Sequence, residues 1–437
     1  MFIERSAGRV RLVRTVFVLA GVLPCVVLAV LAVRWHSRAH VEAIEREAAA
    51  LIGLPVEIGS VDHPRPGTLR LDDVRLLDAG GEAILALPSL DVEVSAAECR
   101  LTAGRFACTP AAASRLAALV KDWLAQPARF SRNLVVDAHQ VDWLVGGVAV
   151  ARPTGLHAEC VAVDGARAVR VRREPESVDE VRVRSLAMPT MAEAGDGTAG
   201  GRAIEVAATI EEPLPAAIVA TLVGLPDIAG AGAVVRGRIE AQCSRGQWSG
   251  DVSGAIERLD LEACGARAQH RLSGEGAVQV ASLRIDGGRI DVCEMDVSAA
   301  RGLIGQGCLD ALVSQLDCRP GPGFRSLAGE AMREFDRISC RMRIDREGVR
   351  VRAMPDAAAG IISSHGLVVL DEPMQPVPVE RLAWLCSPPG GVTVPASPAS
   401  AWLISTLPLG SAGAEPAAES RQTLRRAAGS APRAGGF

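Results

Sequence analysis

From Val56 onward the chain alternates apolar and charged residues with a period of two, the pattern of a strand with one buried and one wet face. Val56 and Ile58 bracket Glu57; Leu69 and Leu71 alternate with Arg70 and Asp72; Val74 and Leu76 bracket Arg75. The pattern returns at Leu90, Val92 and Val94 around Asp91 and Glu93, at Val169 and Val171 around Arg170, and at Val181 and Val183 around Arg182. These positions form a candidate apolar face, and a chain dominated by such runs is mainly β. Pro64, Pro66 and Gly67, then Gly80 and Gly81, punctuate the first runs, which predicts short connections and antiparallel neighbours without crossovers.

Helices are few. "RAHVEAIEREAAALI", Arg38 to Ile52, carries one apolar stripe and stops at Gly53 and Pro55. Further helices are predicted over Ala111 to Leu124, Ala299 to Leu316 and Val379 to Leu385, with "GLIGQG" (Gly302 to Gly307) read as a helix of small residues. "LRIDGGRIDVCEM" (Leu283 to Met295) and "MRIDREGVRVRAM" (Met342 to Met354) are two copies of one hairpin pattern. "GDGTAGG", Gly195 to Gly201, reads as a junction, giving β lobes over 38–194 and 202–410. The Ala, Gly, Ser and Arg-rich stretch 411–437 has no period and is expected to be disordered.

Ahead of the strands, "VFVLAGVLPCVVLAVLAV", Val16 to Val33, has no charge and is about the length of a transmembrane helix. Arg5, Arg9, Arg11 and Arg14 precede it, whereas acidic residues mix into the downstream flank, so the N-terminus is expected in the cytoplasm and the bulk in the periplasm. A cleaved signal peptide fits less well, because the apolar run exceeds a usual h-region and leads at once into Arg34 and Trp35. Residues 1–37 are therefore read as a cytoplasmic N-terminus with a single-pass anchor in a bacterial inner membrane. Lys121 is the only lysine and tyrosine is absent, a bias expected of GC-rich bacterial coding sequence.

Charge is close to balanced, with 47 Lys and Arg against 51 Asp and Glu, and the basic residues are spread along strands, which argues against nucleic-acid binding. Aromatic residues make up 3% of the chain, too few for stacking pockets that hold sugars or bases. The eleven cysteines (Cys25, Cys99, Cys108, Cys160, Cys243, Cys264, Cys293, Cys308, Cys318, Cys340 and Cys386) show no CxxC and no zinc-finger spacing. Buried thiols are the expectation; Cys99 with Cys108 and Cys308 with Cys318 are closest in sequence, and disulfide pairing stays open. His63 in "VDHPRPG" reads as a turn residue, since no HxxxH, HExxH or HxH spacing occurs. No nucleophile elbow, phosphate loop or calcium loop is found, and the adjacent carboxylates lie in turns or on wet faces. No catalytic residue, metal ligand or cofactor is assigned, and the chain is not expected to be an enzyme.

What the chain offers instead is amphipathic strand area behind a membrane helix. "LIGLPVEIGSVDHPRPGTLRLDDVRLLDAGGEAILALPSLDVEV" resembles the start of AsmA-like and TamB-type envelope proteins, through Gly53, Pro55, Val56, Gly67, Leu69, Leu71, Val74, Leu76, Leu90 and Val92. "RIDREGVRV" and "VPVERLAWLCSPPGGVTVPASPASAWLISTLPL" are loosely similar to the end of those proteins. The resemblance implies a curved antiparallel sheet forming an open, taco-like groove. Few helices would cap it, the alternating Val, Leu and Ile positions would line it, and phospholipid or another acyl-chain ligand would occupy it. The implied role is lipid transfer and support of outer-membrane assembly, with envelope proteins as partners. This chain is short beside the large members and shows no second anchor, so partners or a local role at the inner membrane are expected. Two other expectations stand beside it: a non-catalytic envelope or secretion-system scaffold whose strands close into a dry sandwich, and a membrane-tethered hydrolase in which His63, His139 or His157 would meet buried carboxylates.

Overall fold

A computed structural model describes residues 14–35, 37–78, 80–125, 132–150, 154–163, 166–174, 176–187, 202–222, 229–268, 270–326, 331–355, 360–385 and 405–408. The chain is mainly β and divides into two compact units, Met1–Ser177 and Val178–Phe437. The expected junction at Gly195 to Gly201 and the expected tail 411–437 lie outside the described residues.

The N-terminal apolar stretch is helical but not one regular helix. A π-helical turn, Val18–Val22, precedes α1, Leu23–Trp35. The Leu23 N–H donates to the Val18 carbonyl, five residues back. That widening falls just before Pro24, whose ring has no N–H to offer and crowds the carbonyl four residues earlier. Among the described residues no helix is long and apolar enough to cross a membrane. The 13 residues of α1 span about 20 Å, against roughly 30 Å of hydrocarbon. The single regular span expected from Val16 to Val33 is thus interrupted.

Helix α2, Arg38–Ile52, has the predicted bounds. Gly53 takes the left-handed conformation (φ 90°) and its N–H closes on the Ala49 carbonyl at 2.8 Å, which stops the helix. Glu45 on α2 accepts from the Ile58 N–H at 2.9 Å, tying the helix to the sheet.

The sheet of the first unit begins with β1 (Val56–Glu57), β2 (Ser60–Arg65), β3 (Thr68–Leu77), β4 (Ala83–Val94) and β5 (Glu98–Cys108). They pair antiparallel as expected. The tight reversal falls at Pro66 and Gly67. His63 lies inside β2, beside a register irregularity between Asp62 and Arg65, so its expected turn role is corrected. Its ring stacks on Trp35 and His40, with centroids 5.1 and 5.3 Å away.

The next connection departs from the expected meander. Helix α3, Pro110–Ala125, leads to β6 (Asn133–Val145), which runs parallel to β5 from Glu98 opposite Asn133 to Cys108 opposite Trp143. A helix of this length returns the chain to the starting end of β5, as a parallel pair requires. Thr109 caps it by accepting from the Ala112 N–H at 3.2 Å, and α3 reaches β4 and β9. After the small β7 (Val148–Ala149), β8 (Thr154–Val163) and β9 (Ala166–Arg172) restore antiparallel order.

The second unit adds long antiparallel strands in chain order: β10 (Glu180–Ala187), β11 (Arg202–Pro215), β12 (Val234–Ser244), β13 (Gln247–Asp260), β14 (Leu272–Asp286) and β15 (Arg289–Gly305). Short helices α4 (Ala216–Leu222) and α5 (Leu261–Arg267) follow β11 and β13. Helix α6 is confined to Gln306–Leu316; Ala299 to Gly305, predicted helical, continues β15. The glycines there serve close strand packing. A Cβ on Gly302 would lie 2.1 Å from the Ser273 carbonyl oxygen and 2.7 Å from the Phe335 ring. Short β16 (Arg319–Pro320) precedes β17 (Met332–Asp345), β18 (Gly348–Ala353), β19 (Ile362–Ser364), β20 (Leu367–Asp371) and α7 (Glu380–Leu385). Both predicted hairpin copies form, turning at Gly287 and Gly288 and at Arg346 and Glu347. The main core gathers α6, α7 and β15 to β20, with Leu309, Val349, Val369 and Leu370 at 0% exposure.

Candidate apolar-ligand surface

Residues directly opposite in a ladder point to the same face, so the registers sort every side chain. In the first unit one row across the strands reads Leu69, Val92, Leu101, Val136, Ala158, Val171. A second reads Leu71, Leu90, Ala103, Ala138, Leu156, and a third Val94, Cys99, Leu134, Cys160, Val169. The alternate rows are polar: Arg70, Asp91, Thr102, Asp137, His157 and Arg172 run across the same strands. Ion pairs lace this second face, Arg70 to Asp91 at 3.3 Å and Arg100 to Asp137 at 3.4 Å. Each exposed pair adds little stability, but together they fix which face stays in water.

Seven of the sequence candidates (Leu69, Leu71, Leu90, Val92, Val94, Val169 and Val171) therefore share one face. That face is partly closed, with Ala103 at 3% and Val169 at 5% exposure, while Val94 stands open at 42%. Val56, Ile58, Val74 and Leu76 are buried, Ile58 at 2%. Their register depends on Asp73, which is left-handed (φ 51°). Across it the apolar positions change parity in β3, from 69 and 71 to 74 and 76, and likewise in β4, from 90 and 92 to 87 and 85. The pair kinks there, and the apolar set stays buried on both sides of the kink.

The second unit repeats the two-faced order over more strands. Val181, Ala208, Ile239, Val252, Leu283, Cys293, Ile344 and Val349 form one continuous row. Val183 faces Val206 in a neighbouring row, and Val235, Ile256, Val278, Val297 and Cys340 make another. Burial grades along these rows. Cys293, Ile344 and Val349 are enclosed by the main core, whereas Val181, Ile239, Val252 and Leu283 are only half-buried. The apolar face is thus sealed over β17 and β18 and partly open over β10 to β14. Ile239, Val252, Val278, Leu283 and Val297 were absent from the sequence candidates, although "AVQVASLRID" and "DVSGAIERLD" carry the same period-two signal.

His157 was one of the histidines whose meeting with carboxylates would point to hydrolysis. Its Nδ1 lies 2.6 Å from Asp137 Oδ1 and its Nε2 2.9 Å from Glu159 Oε1. The Glu159 hydrogen bond, then that of Asp137, pushes the imidazole pKa above its usual value against the opposing cost of burial, and Glu159 is held below the ordinary carboxylate range. A carboxylate on each nitrogen favours the imidazolium, in which neither nitrogen keeps a lone pair to act as a base. His63 meets aromatic rings instead of carboxylates.

The buried thiols are poorly placed for chemistry as well. All cysteines among the described residues are free. Cys99 and Cys108 lie at opposite regions of β5, about 30 Å apart at the rise of a strand, far beyond disulfide reach. Burial raises Cys108 and Cys340 to about 11 and Cys308 and Cys318 to about 12, which suppresses the reactive thiolate. No group of three or more His, Cys, Asp or Glu among the described residues is arranged to hold a metal ion. No family model matches the chain, and no curated protein is significantly similar to it.

Proposed function

We propose that this chain is a non-enzymatic, AsmA-like protein of the bacterial envelope, held at the inner membrane by its N-terminal apolar segment and binding phospholipid acyl chains on its apolar sheet face. The half-buried row through Val181, Ile239, Val252 and Leu283 carries this reading. It offers continuous hydrocarbon contact without aromatic stacking or a pocket-forming polar set. An acyl chain laid along it removes apolar area from water on both partners, at roughly 25 cal/mol per Å². The charged rows on the opposite side keep that side of the sheet in water.

The membrane assignment rests on the N-terminal helical segment, where Val16 is 55%, Phe17 67% and Leu19 58% exposed, so the apolar surface has no protein cover. The π-turn and α1 together would sit in lipid, with the arginines before Thr15 on the cytoplasmic side. Support of outer-membrane assembly follows if the bound lipid is passed on to envelope partners.

Lipid extraction and mass spectrometry of the purified full chain test the lipid assignment. Co-purifying phospholipid that is lost on Val252→Glu with Ile239→Glu supports it; lipid-free protein, or lipid unaffected by the double variant, refutes it. Removal of residues 1–35 is expected to move the protein from the membrane to the soluble fraction.

A further inference from the structure

The charged side of the second unit contains a hollow of about 330 Å³ with no role in acyl binding. Its origin is visible in the registers. Ala277, Ser298 and Ser339 face one another across β14, β15 and β17, a row of short side chains. On one side runs the longer row Gln279, Asp296, Arg341, and on the other Arg337 opposite Ala300. Truncation between two taller rows leaves the depression, and Ser339, 3% exposed, forms part of its floor.

The charges around it are unequal. Asp296 is neutralised by Arg341 through two bonds of 2.7 and 2.9 Å, and Glu257 is paired with Arg236. Arg337 also lines the hollow, but its one described polar contact is Nη2 donating to Ser339 Oγ at 3.3 Å, with no carboxylate partner among the described residues. Ser339 Oγ accepts there, and a hydroxyl carries one donor besides. Arg352, opposite Arg341 on β18, also has no carboxylate partner among the described residues. Met354, two residues beyond it, lines the rim.

We propose that this hollow binds the phosphate monoester of a short polyol, with glycerol phosphate as the simplest member. Arg337 supplies the charge-assisted donor, and the hydroxyls of Ser298 and Ser339 supply neutral donors to the remaining phosphate oxygens. Gln279 and the carboxylates of Glu257 and Asp296 accept from the polyol hydroxyls, which favours an ester over a bare dianion. The volume lies at the small end of ligand pockets, suited to a compact ligand. The site is on the opposite side of the sheet from the acyl surface, so neither proposal depends on the other.

Titration calorimetry of the full chain with glycerol 3-phosphate tests it. Saturable binding is expected, weakened about tenfold or more by Arg337→Gln and abolished by Ser298→Leu, which fills the hollow. Val252→Glu leaves this binding intact, even where it abolishes lipid co-purification. Circular dichroism verifies folding of each variant, and Gln279→Leu, which removes a lining acceptor for the polyol hydroxyls, is a further variant expected to weaken binding. Vesicles containing phosphatidylglycerol phosphate, whose headgroup ends in a glycerol phosphate monoester, that compete with glycerol 3-phosphate identify a lipid headgroup as the source, and failure to compete identifies a soluble ester; both support phosphate recognition. Absence of binding to ester and vesicle alike, or affinities unchanged in both Arg337→Gln and Ser298→Leu, overturns it.

Discussion

Val252 and Val349 stand in the same cross-strand row, yet one is half-buried and the other is 0% exposed. Val→Ala at each site removes the same two methyl groups, so any difference measures burial alone. At Val349 both methyls leave a closed core. With about 0.8 kcal/mol per buried carbon the transfer loss is ~1.6 kcal/mol, and the cavity raises the total to roughly 2–3 kcal/mol. At Val252 the side chain is only partly covered, the neighbours can relax, and the expected cost is roughly 1 kcal/mol. Urea unfolding of each variant in the full chain, compared by midpoint at unchanged slope, gives the two values. Equal losses would mean that the face over β12 to β14 is as closed as the core over β17 and β18, and the open acyl surface would be refuted. A Val252→Ala variant that is nearly neutral in stability but retains less phospholipid on purification would show that the open half of the row binds ligand.

Three further outcomes follow from local geometry. His157 has a raised pKa in the fold, so its stabilisation is fully present below the unfolded value near 6.5 and is lost as pH rises through the higher folded value. Thermal unfolding between pH 5.5 and 8.5 should show this loss in the parent chain and not in His157→Gln. Gly302→Ala forces a Cβ against the Ser273 carbonyl and the Phe335 ring, and overpacking of this kind costs roughly 1–3 kcal/mol, to be read from the shift of the urea midpoint. Alkylation mapped by mass spectrometry should label half-buried Cys99, Cys243 and Cys264 ahead of Cys108, Cys293, Cys308, Cys318 and Cys340, which are expected to react only on unfolding.

Much of the strand content was legible because period-two alternation is a local signal. Leu69 to Leu76 and the two Arg-Ile-Asp hairpins announce themselves within a few residues, and α2 is marked by its apolar stripe and by Gly53. The errors came where partners distant in sequence decided the outcome. Ala299 to Gly305 has helix-compatible small residues, but the ladder to Met332 through Ile338 and the packing of Phe335 on Gly302 hold it as strand. The β5 to β6 pair is parallel because α3 carries the chain back along the sheet, a consequence that helix propensity does not reveal. Asp137 and Glu159 meet His157 only through the register of β6 with β8 and the course of β8.

Alone, the sequence determined a mainly β chain with one apolar and one charged face per strand and an apolar N-terminal segment, because hydrophobic patterning is written residue by residue. Tertiary structure decided which parts of the apolar face are covered. Burial depends on what packs above a residue: α6, α7 and the returning strands close Val349, and over Val252 the cover is incomplete. It also decided where the charged face sinks into a hollow, since the depth there comes from short side chains on three strands brought into one row.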